Sequence, residues 1–455
     1  MNLELLKVDV NSTIKEALYK IDNNHLGIII IVNAEDKVVG IATDGDIRRS
    51  LLEGMTIDDN IIECCNTNFV SALDNTPKEN LIKILDHKIK VLPLLNFTGE
   101  LIDVFHGNNL PVYKEEKVYA RAKSPVRISF GGGGSDLTHY FINNGGAVIN
   151  STISLYSHAS LIKRDDNKII IDSRDLNETL EGEDLKDILS NKGNFGLIQA
   201  VLRGVNPEFG FELYLNSDFP MKSGLGGSAV VASAILGCFN EFRIDKWNLY
   251  EIAEIAYQAE RLVMCISGGW QDQYATVFGG INFMEFQAEN NLIHPLRINQ
   301  QTILELEESI VLCDTKIIHE SGDIHADQKL EMFKTDVQHL VKKNVELTYL
   351  MRKCLLKNDL SRFGKLLDEA WQFKRQFSDK ISNSQLDNIY EQAIETGALG
   401  GKLLGAGGGG FFIFYVPSNK KNTLINKLES MGNMVRPFRF ENDGLKSWSV
   451  REIKN

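Results

Sequence analysis

Over the first hundred residues, apolar and polar positions fall into two similar blocks, each a polar helix, an apolar strand, a turn and a second strand. In the first block Ser12-Thr13-Ile14-Lys15-Glu16-Ala17-Leu18 predicts a helix start, because Ser12 or Thr13 can accept from the first free amides. Gly27-Ile28-Ile29-Ile30-Ile31-Val32 has no polar position and predicts a buried strand, Asn33 to Lys37 a turn, and Val38-Val39-Gly40-Ile41-Ala42 the next strand. The second block repeats the order: Asn75-Thr76-Pro77-Lys78-Glu79 opens a helix, Val91-Leu92-Pro93-Leu94-Leu95 is strand, and Leu101-Ile102-Asp103-Val104 its partner. Two copies of one unit predict a pseudo-twofold pair over residues 1–112. The charged stretch Tyr113-Lys114-Glu115-Glu116-Lys117 follows Pro111 and reads as a linker. From Val118 glycine becomes dense and strands alternate with helices, as in a two-layer α/β or α+β enzyme. Further on, Ile252, Ile255, Ala256, Ala259 and Leu262 recur at helical spacing, with Glu260 beside the stripe and able to reach inward.

The length of 455 residues allows two or three domains, each with its own core. With 43% hydrophobic and 24% charged residues, the composition is that of an ordinary soluble globular chain. A formal net charge of −12 argues against a nucleic-acid binder but leaves room for a small anionic ligand in a local basic pocket. The start MNLELLKVDV lacks a secretory pattern, and no long apolar run suggests a membrane span, so a cytoplasmic location is expected. Cys64 and Cys65 are neighbours, while Cys238, Cys265, Cys313 and Cys354 are scattered without metal-ligand spacing; reduced, mostly buried thiols are expected.

Three glycine-rich motifs carry the chemistry. In Pro220-Met221-Lys222-Ser223-Gly224-Leu225-Gly226-Gly227-Ser228-Ala229, small residues let backbone amides approach a phosphate, and the apolar run after them opens a helix whose positive end would face it. In the second, Lys123-Ser124-Pro125-Val126-Arg127-Ile128-Ser129-Phe130 delivers the chain to Gly131-Gly132-Gly133-Gly134-Ser135-Asp136, a carboxylate at the end of four glycines. The third, Gly400 to Gly410, runs into the apolar strand from Phe411 to Val416 and includes Gly407 and Gly408. Tight turns, helix caps and surface ion pairs are the plainer roles open to these residues.

Together these motifs resemble those of GHMP kinases, and the resemblance covers Val118 to the C-terminus. Gly227 departs from the family's pattern, standing where a serine is usual. The resemblance implies an α+β, two-lobed fold: a ribosomal S5-like lobe over 118–300 and a ferredoxin-like lobe over 301–455. It also implies ATP and Mg²⁺. Lys222, Ser223, Gly224, Leu225, Gly226, Gly227, Ser228, Gly407 and Gly408 would bind ATP; Gly134, Ser135 and Asp136 would hold the sugar; Arg127 would lie beside the reacting phosphate. Ser267-Gly268-Gly269-Trp270-Gln271-Asp272-Gln273-Tyr274 is similar to a segment of heptose and fucose kinases, making Asp272 the catalytic carboxylate and Glu260, with Ser228, the Mg²⁺ ligand.

Within the superfamily the likeness is strongest to D-glycero-D-manno-heptose 7-phosphate kinases, which act on the anomeric hydroxyl. A phosphorylated acceptor needs a basic clamp, for which Lys374 and Arg375 stand as candidates, or else as solvated helix charges. Trp270 stands where many heptose kinases have lysine and matches fucose kinases, leaving fucose or another hexose as the alternative. A non-catalytic sensor is the rival from another class; a nucleotidyltransferase lacks its expected loop. In the front block, Gly40-Ile41-Ala42-Thr43-Asp44-Gly45-Asp46 resembles the strand-to-helix turn of a CBS domain. That resemblance implies a nucleotide or nucleotide-sugar effector on Thr43, Asp44 and Asp46, and a homodimer; Thr43 or Asp44 could equally cap the helix that follows.

Overall fold

A computed structural model describes residues 3–453 apart from 86–88, 107–114, 222, 318–323, 325–326, 328–329 and 332–333. The chain divides into two compact units, Met1–Lys114 and Glu115–Asn455.

The front unit holds the two predicted copies. Strands Lys7–Asp9, Ile28–Val32 and Val38–Thr43 form one sheet, and Ala72–Leu73, Val91–Leu95 and Leu101–His106 the other. In each, the first pair is parallel and the second antiparallel, with a register shift at the end of the middle strand, after Ile31 and after Leu94. The turns match too: Asn33 Oδ1 accepts from the amides of Glu35 and Lys37, and Asn96 Oδ1 from those of Thr98 and Glu100. Helix Ile14–Asn24 starts at Thr13, whose hydroxyl accepts from the Glu16 amide while Glu16 closes the capping box.

In the second unit, the expected linker gives way to strand. Glu115–Gly131 is one continuous strand, so Glu115 to Lys117 belong to the sheet, while residues 113 and 114 lie outside the described ones. Its neighbour Gly146–Lys163 is the hub: it pairs along its length with Glu115–Gly131, and on its other edge with Phe211–Ser217 and Ile281–Phe286. Lys446–Ile453 returns to pair antiparallel with Glu115–Gly131. The chain's last strand therefore completes the first lobe's sheet, where the sequence reading placed it in the second lobe.

The second lobe is a four-stranded antiparallel sheet in the order Gly400–Leu403, Phe411–Tyr415, Ile310–Asp314, Met434–Arg436. With its intervening helices this is the expected ferredoxin-like βαββαβ order. One apolar core, including Ile128, Phe130, Ile149, Leu312, Phe363 and Ile413, is shared by both lobes and fixes them to each other.

Candidate active site

The three glycine loops meet by backbone packing. A Cβ on Gly224 would lie 2.9 Å from the Leu404 carbonyl, one on Gly405 2.7 Å from the Gly224 Cα, and one on Gly410 2.3 Å from the Ser223 carbonyl. No side chain fits between the first loop and the third, which is why both are glycine at the contact. The second motif is tied in by Arg127, whose Nη1 donates to the Gly224 carbonyl at 2.7 Å and whose Nε donates to Asp272 Oδ1 at 2.8 Å. Asp136 in turn accepts from the amides of Gly134 and Gln271, each at 3.1 Å.

These contacts enclose a cavity of about 490 Å³, lined among others by Arg127, Gly134, Asp136, Ser223, Gly224, Gly226, Gly227, Ser228, Glu260, Asp272 and Lys374. Helix Gly227–Phe242 begins at Gly226 in the left-handed region (φ 81°) without a side-chain cap. Its first amides are free for an anion, reinforced by the positive end of a sixteen-residue helix. Ser129 and Ser223 also line the cavity with buried hydroxyls that have no hydrogen-bond partner among the described residues.

The carboxylates differ. Glu260 is buried, accepts from Gln273 Nε2 at 2.8 Å and lines the cavity together with Ser228. Burial raises its pKa, with Arg261 opposing. The predicted helix around it ends at Tyr257 and continues as a π-helical turn, Gln258–Val263. Burial, then the charge of Asp272, raises the pKa of Asp136. Lys374 is buried, donates to the Gly405 carbonyl at 2.5 Å, and is lowered to about 8 by desolvation first and Arg127 second.

Other predicted residues fall elsewhere. Arg375, next to Lys374, pairs with Asp387 at 2.6 Å and does not line the cavity. Gly407 and Gly408 pack on Ile381, with Gly405 and Ala406 facing the cavity in their place. The Ser135 hydroxyl is spent on the carbonyls of Gly132 and Ala147, and Leu225 is buried core. Lys222 lies outside the described residues. Trp270 stacks on Tyr257 at 3.5 Å and donates its indole N–H to Thr138, behind the cavity wall. Of the thiols, expected to be mostly buried, Cys64, Cys238, Cys313 and Cys354 are buried and Cys65 is half-buried, while Cys265 is exposed, at φ 56° in the loop after the π-helical turn.

The sequence reading missed three groups: the cavity residue Arg261, the fully buried Lys402, and an apolar wall of Leu176, Leu197, Ile198, Leu215 and Val231 beside Asp175 and Ser217. In the front unit, Thr43 caps helix Asp44–Leu52: its hydroxyl accepts from the Asp46 amide and donates to Asp46 Oδ2 at 2.6 Å, and Asp46 also holds Arg49. Asp44, first in that helix, is exposed.

The GHMP kinases N terminal domain matches residues 195–280, the GHMP kinases C terminal domain 351–433, and the CBS domain 1–53. The chain is 39% identical over 339 residues to a D-glycero-alpha-D-manno-heptose 7-phosphate kinase of Campylobacter jejuni, covering 72% of this chain and 99% of that protein. A solved D-glycero-D-manno-heptose 1-phosphate kinase from Bacteroides thetaiotaomicron superposes with a TM-score of 0.61 at 29% identity, covering 73% of this chain and 99% of that one. An L-fucokinase/L-fucose-1-P guanylyltransferase of Bacteroides fragilis is 28% identical over 350 residues, 70% of this chain and 36% of that two-activity protein. The chain belongs to the GHMP kinases. It is a sugar kinase, a phosphotransferase with an alcohol group as acceptor, carrying a CBS domain at its front. No helix among the described residues is long and apolar enough to cross a membrane.

Proposed function

We propose that this kinase transfers the γ-phosphoryl group of ATP to the anomeric hydroxyl of D-glycero-D-manno-heptose 7-phosphate. The observation that carries the reading is the convergence of Ser228 with Glu260, Arg127 with Asp272, and Asp136 on one cavity. The two heptose kinase relatives support the sugar class, and the length over which they match supports transfer to this chain.

The uncapped helix start and the Ser223 hydroxyl suit the triphosphate, and the apolar wall with Asp175 and Ser217 suits the nucleobase end. Among the described residues no group of three acidic, His or Cys side chains could hold a metal by itself. Ser228 and Glu260 fit Mg²⁺, which takes few protein ligands and completes its shell with phosphate oxygens and water. When bound, Mg²⁺ neutralises the charge that develops on those oxygens. Asp136 positions the sugar through its hydroxyls. Arg127 holds Oδ1 of Asp272, fixing that carboxylate to receive the acceptor's proton. The acceptor oxygen bonds to the γ-phosphorus, the bond to the β–γ bridging oxygen breaks with its electron pair, and ADP leaves. Lys374 supplies a cation near the acceptor's own phosphate.

Fucose is the second reading, motivated by Trp270 and the fucokinase relative. Because Trp270 braces the loop from behind, it does not touch the ligand space, and the tryptophan does not favour fucose over heptose. For the front unit we propose a nucleotide or nucleotide-sugar effector at the turn of Thr43, Asp44 and Asp46, supported by the match of residues 1–53 to a CBS domain.

ADP release and phosphorus NMR over heptose 7-phosphate, unphosphorylated heptose, fucose and galactose test the assignment. Turnover is expected with heptose 7-phosphate in preference, giving a new anomeric phosphate signal. Preference for fucose would move the reading to its alternative, and ATP binding without turnover on any sugar would refute it in favour of a sensor.

A further inference from the structure

Three cationic side chains line the cavity among the described residues: Arg127, Lys374 and Arg261. Arg127 is spent on Asp272 and the Gly224 carbonyl. Lys374 donates to the carbonyls of Gly405 and Leu403, which leaves one of its three donors for the acceptor's phosphate. Arg261 keeps more donors unspent than either. Its side chain is only 9% exposed, yet it has one short contact, Nη1 donating to the Ser267 carbonyl at 3.1 Å, and meets Glu260 Oε1 no closer than 3.4 Å. Its Nε is buried with no hydrogen-bond partner among the described residues.

The fold makes room for this arrangement. A Cβ on Gly268 would fall 2.2 Å from the Arg261 Cζ, so the guanidinium occupies the place of a side chain at 268. Gly269 does the same for Asp136, whose Oδ2 lies 1.9 Å from where a Cβ would be. The Ser267-Gly268-Gly269 loop thus seats a carboxylate for the sugar and, one residue away, a cation with most of its five donors unspent. A buried, under-paired guanidinium is unfavourable until an anion completes it, and its planar fork matches two oxygens of a phosphate.

We propose that Arg261 is a phosphate-binding residue of this cavity, its free N–H groups donating to the oxygens of a substrate phosphate. The proposal rests on the sugar-phosphate kinase reading. That reading offers two sources for the same chemistry: the phosphate already on the sugar and the terminal phosphate of ATP.

Arg261→Gln and Arg261→Lys, assayed in the full chain, separate them. KM is expected to rise by about tenfold or more for one phosphate-bearing ligand, with lysine intermediate because it keeps the charge without the fork. A rise for the sugar phosphate alone, absent for the same sugar without its phosphate, assigns the sugar's phosphate. A rise for ATP with either sugar assigns the nucleotide. Both KM values within about twofold of the parent, or an equal loss on every substrate together with a lowered melting temperature, would overturn the proposal. If the parent turned over no sugar phosphate, the kinase reading would fail by itself. Arg261 would still be tested by calorimetry with inorganic tripolyphosphate, in which Arg261→Gln should bind about tenfold more weakly and equal affinity would count against it.

Discussion

Two strand-to-helix turns, one in each unit, solve the same local problem in opposite ways. At Thr43 the first amides of helix Asp44–Leu52 are answered within the chain, by a hydroxyl and a carboxylate that also bond each other. At Gly226 the longer helix Gly227–Phe242 begins with no side-chain cap, and two hydroxyls nearby, on Ser129 and Ser223, are buried without partners among the described residues. A cap stabilises by about 1 kcal/mol, and omitting it leaves oriented donors for a ligand. The front turn thus spends its helix donors within the chain, and an effector there would meet the exposed Asp44. The kinase turn keeps its donors for something brought from outside.

Four substitutions break or sharpen this contrast. Glu260→Gln, which keeps the shape but not the charge beside Ser228, should lower kcat by on the order of a thousandfold, and raised Mg²⁺ should restore part of it if the loss is of metal affinity. Gly226→Ala should lower kcat by about a hundredfold: its φ of 81° disfavours a side chain, and the new Cβ would stand 3.3 Å from the Asp272 carboxyl carbon, tight enough to shift that carboxylate. Parent folding by circular dichroism with parent turnover would show that the first loop does not position the carboxylate.

Lys374 gives a smaller effect with a definite sign. With its pKa lowered to about 8, it is charged below that pH and neutral above, so kcat/KM for an anionic acceptor should fall as pH rises through 8. Lys374→Arg keeps the charge and should remove that alkaline limb; a limb left unchanged assigns it to another group. The smallest effect belongs to the front turn. Thr43→Ala should cost about 1 kcal/mol in the front unit's unfolding and leave kinase turnover unchanged in the absence of effector. Loss of turnover there would mean that the turn acts on catalysis.

How far the sequence alone could be read depends on the range of the interaction. Front-unit strands and turns were legible because a cap, an unbroken apolar run or an asparagine turn is a local pattern, and the glycine loops because phosphate cradles demand small residues in a row. Pairing of Lys446–Ile453 with Glu115–Gly131 was not, since it joins positions more than three hundred residues apart and nothing local encodes the partner. Lys374 and Arg375 were indistinguishable for a related reason: adjacent on a helix, they point about 100° apart, and only the packing sends the first into the cavity and the second to Asp387. Arg261 and Lys402 went unassigned because burial of a cation leaves no mark on composition. Asp272, Asp136 and Glu260 could be assigned because they stand inside motifs that a known family shares.

The central claim is that the three loops bring Asp272 to face an acceptor beside bound ATP. Its most direct test is Asp272→Asn in the full chain, assayed by ADP release with ATP and heptose 7-phosphate alongside ATP affinity by calorimetry. Turnover lowered by on the order of a thousandfold or more, with ATP affinity and melting temperature near those of the parent, is the predicted result. Unchanged turnover would contradict it.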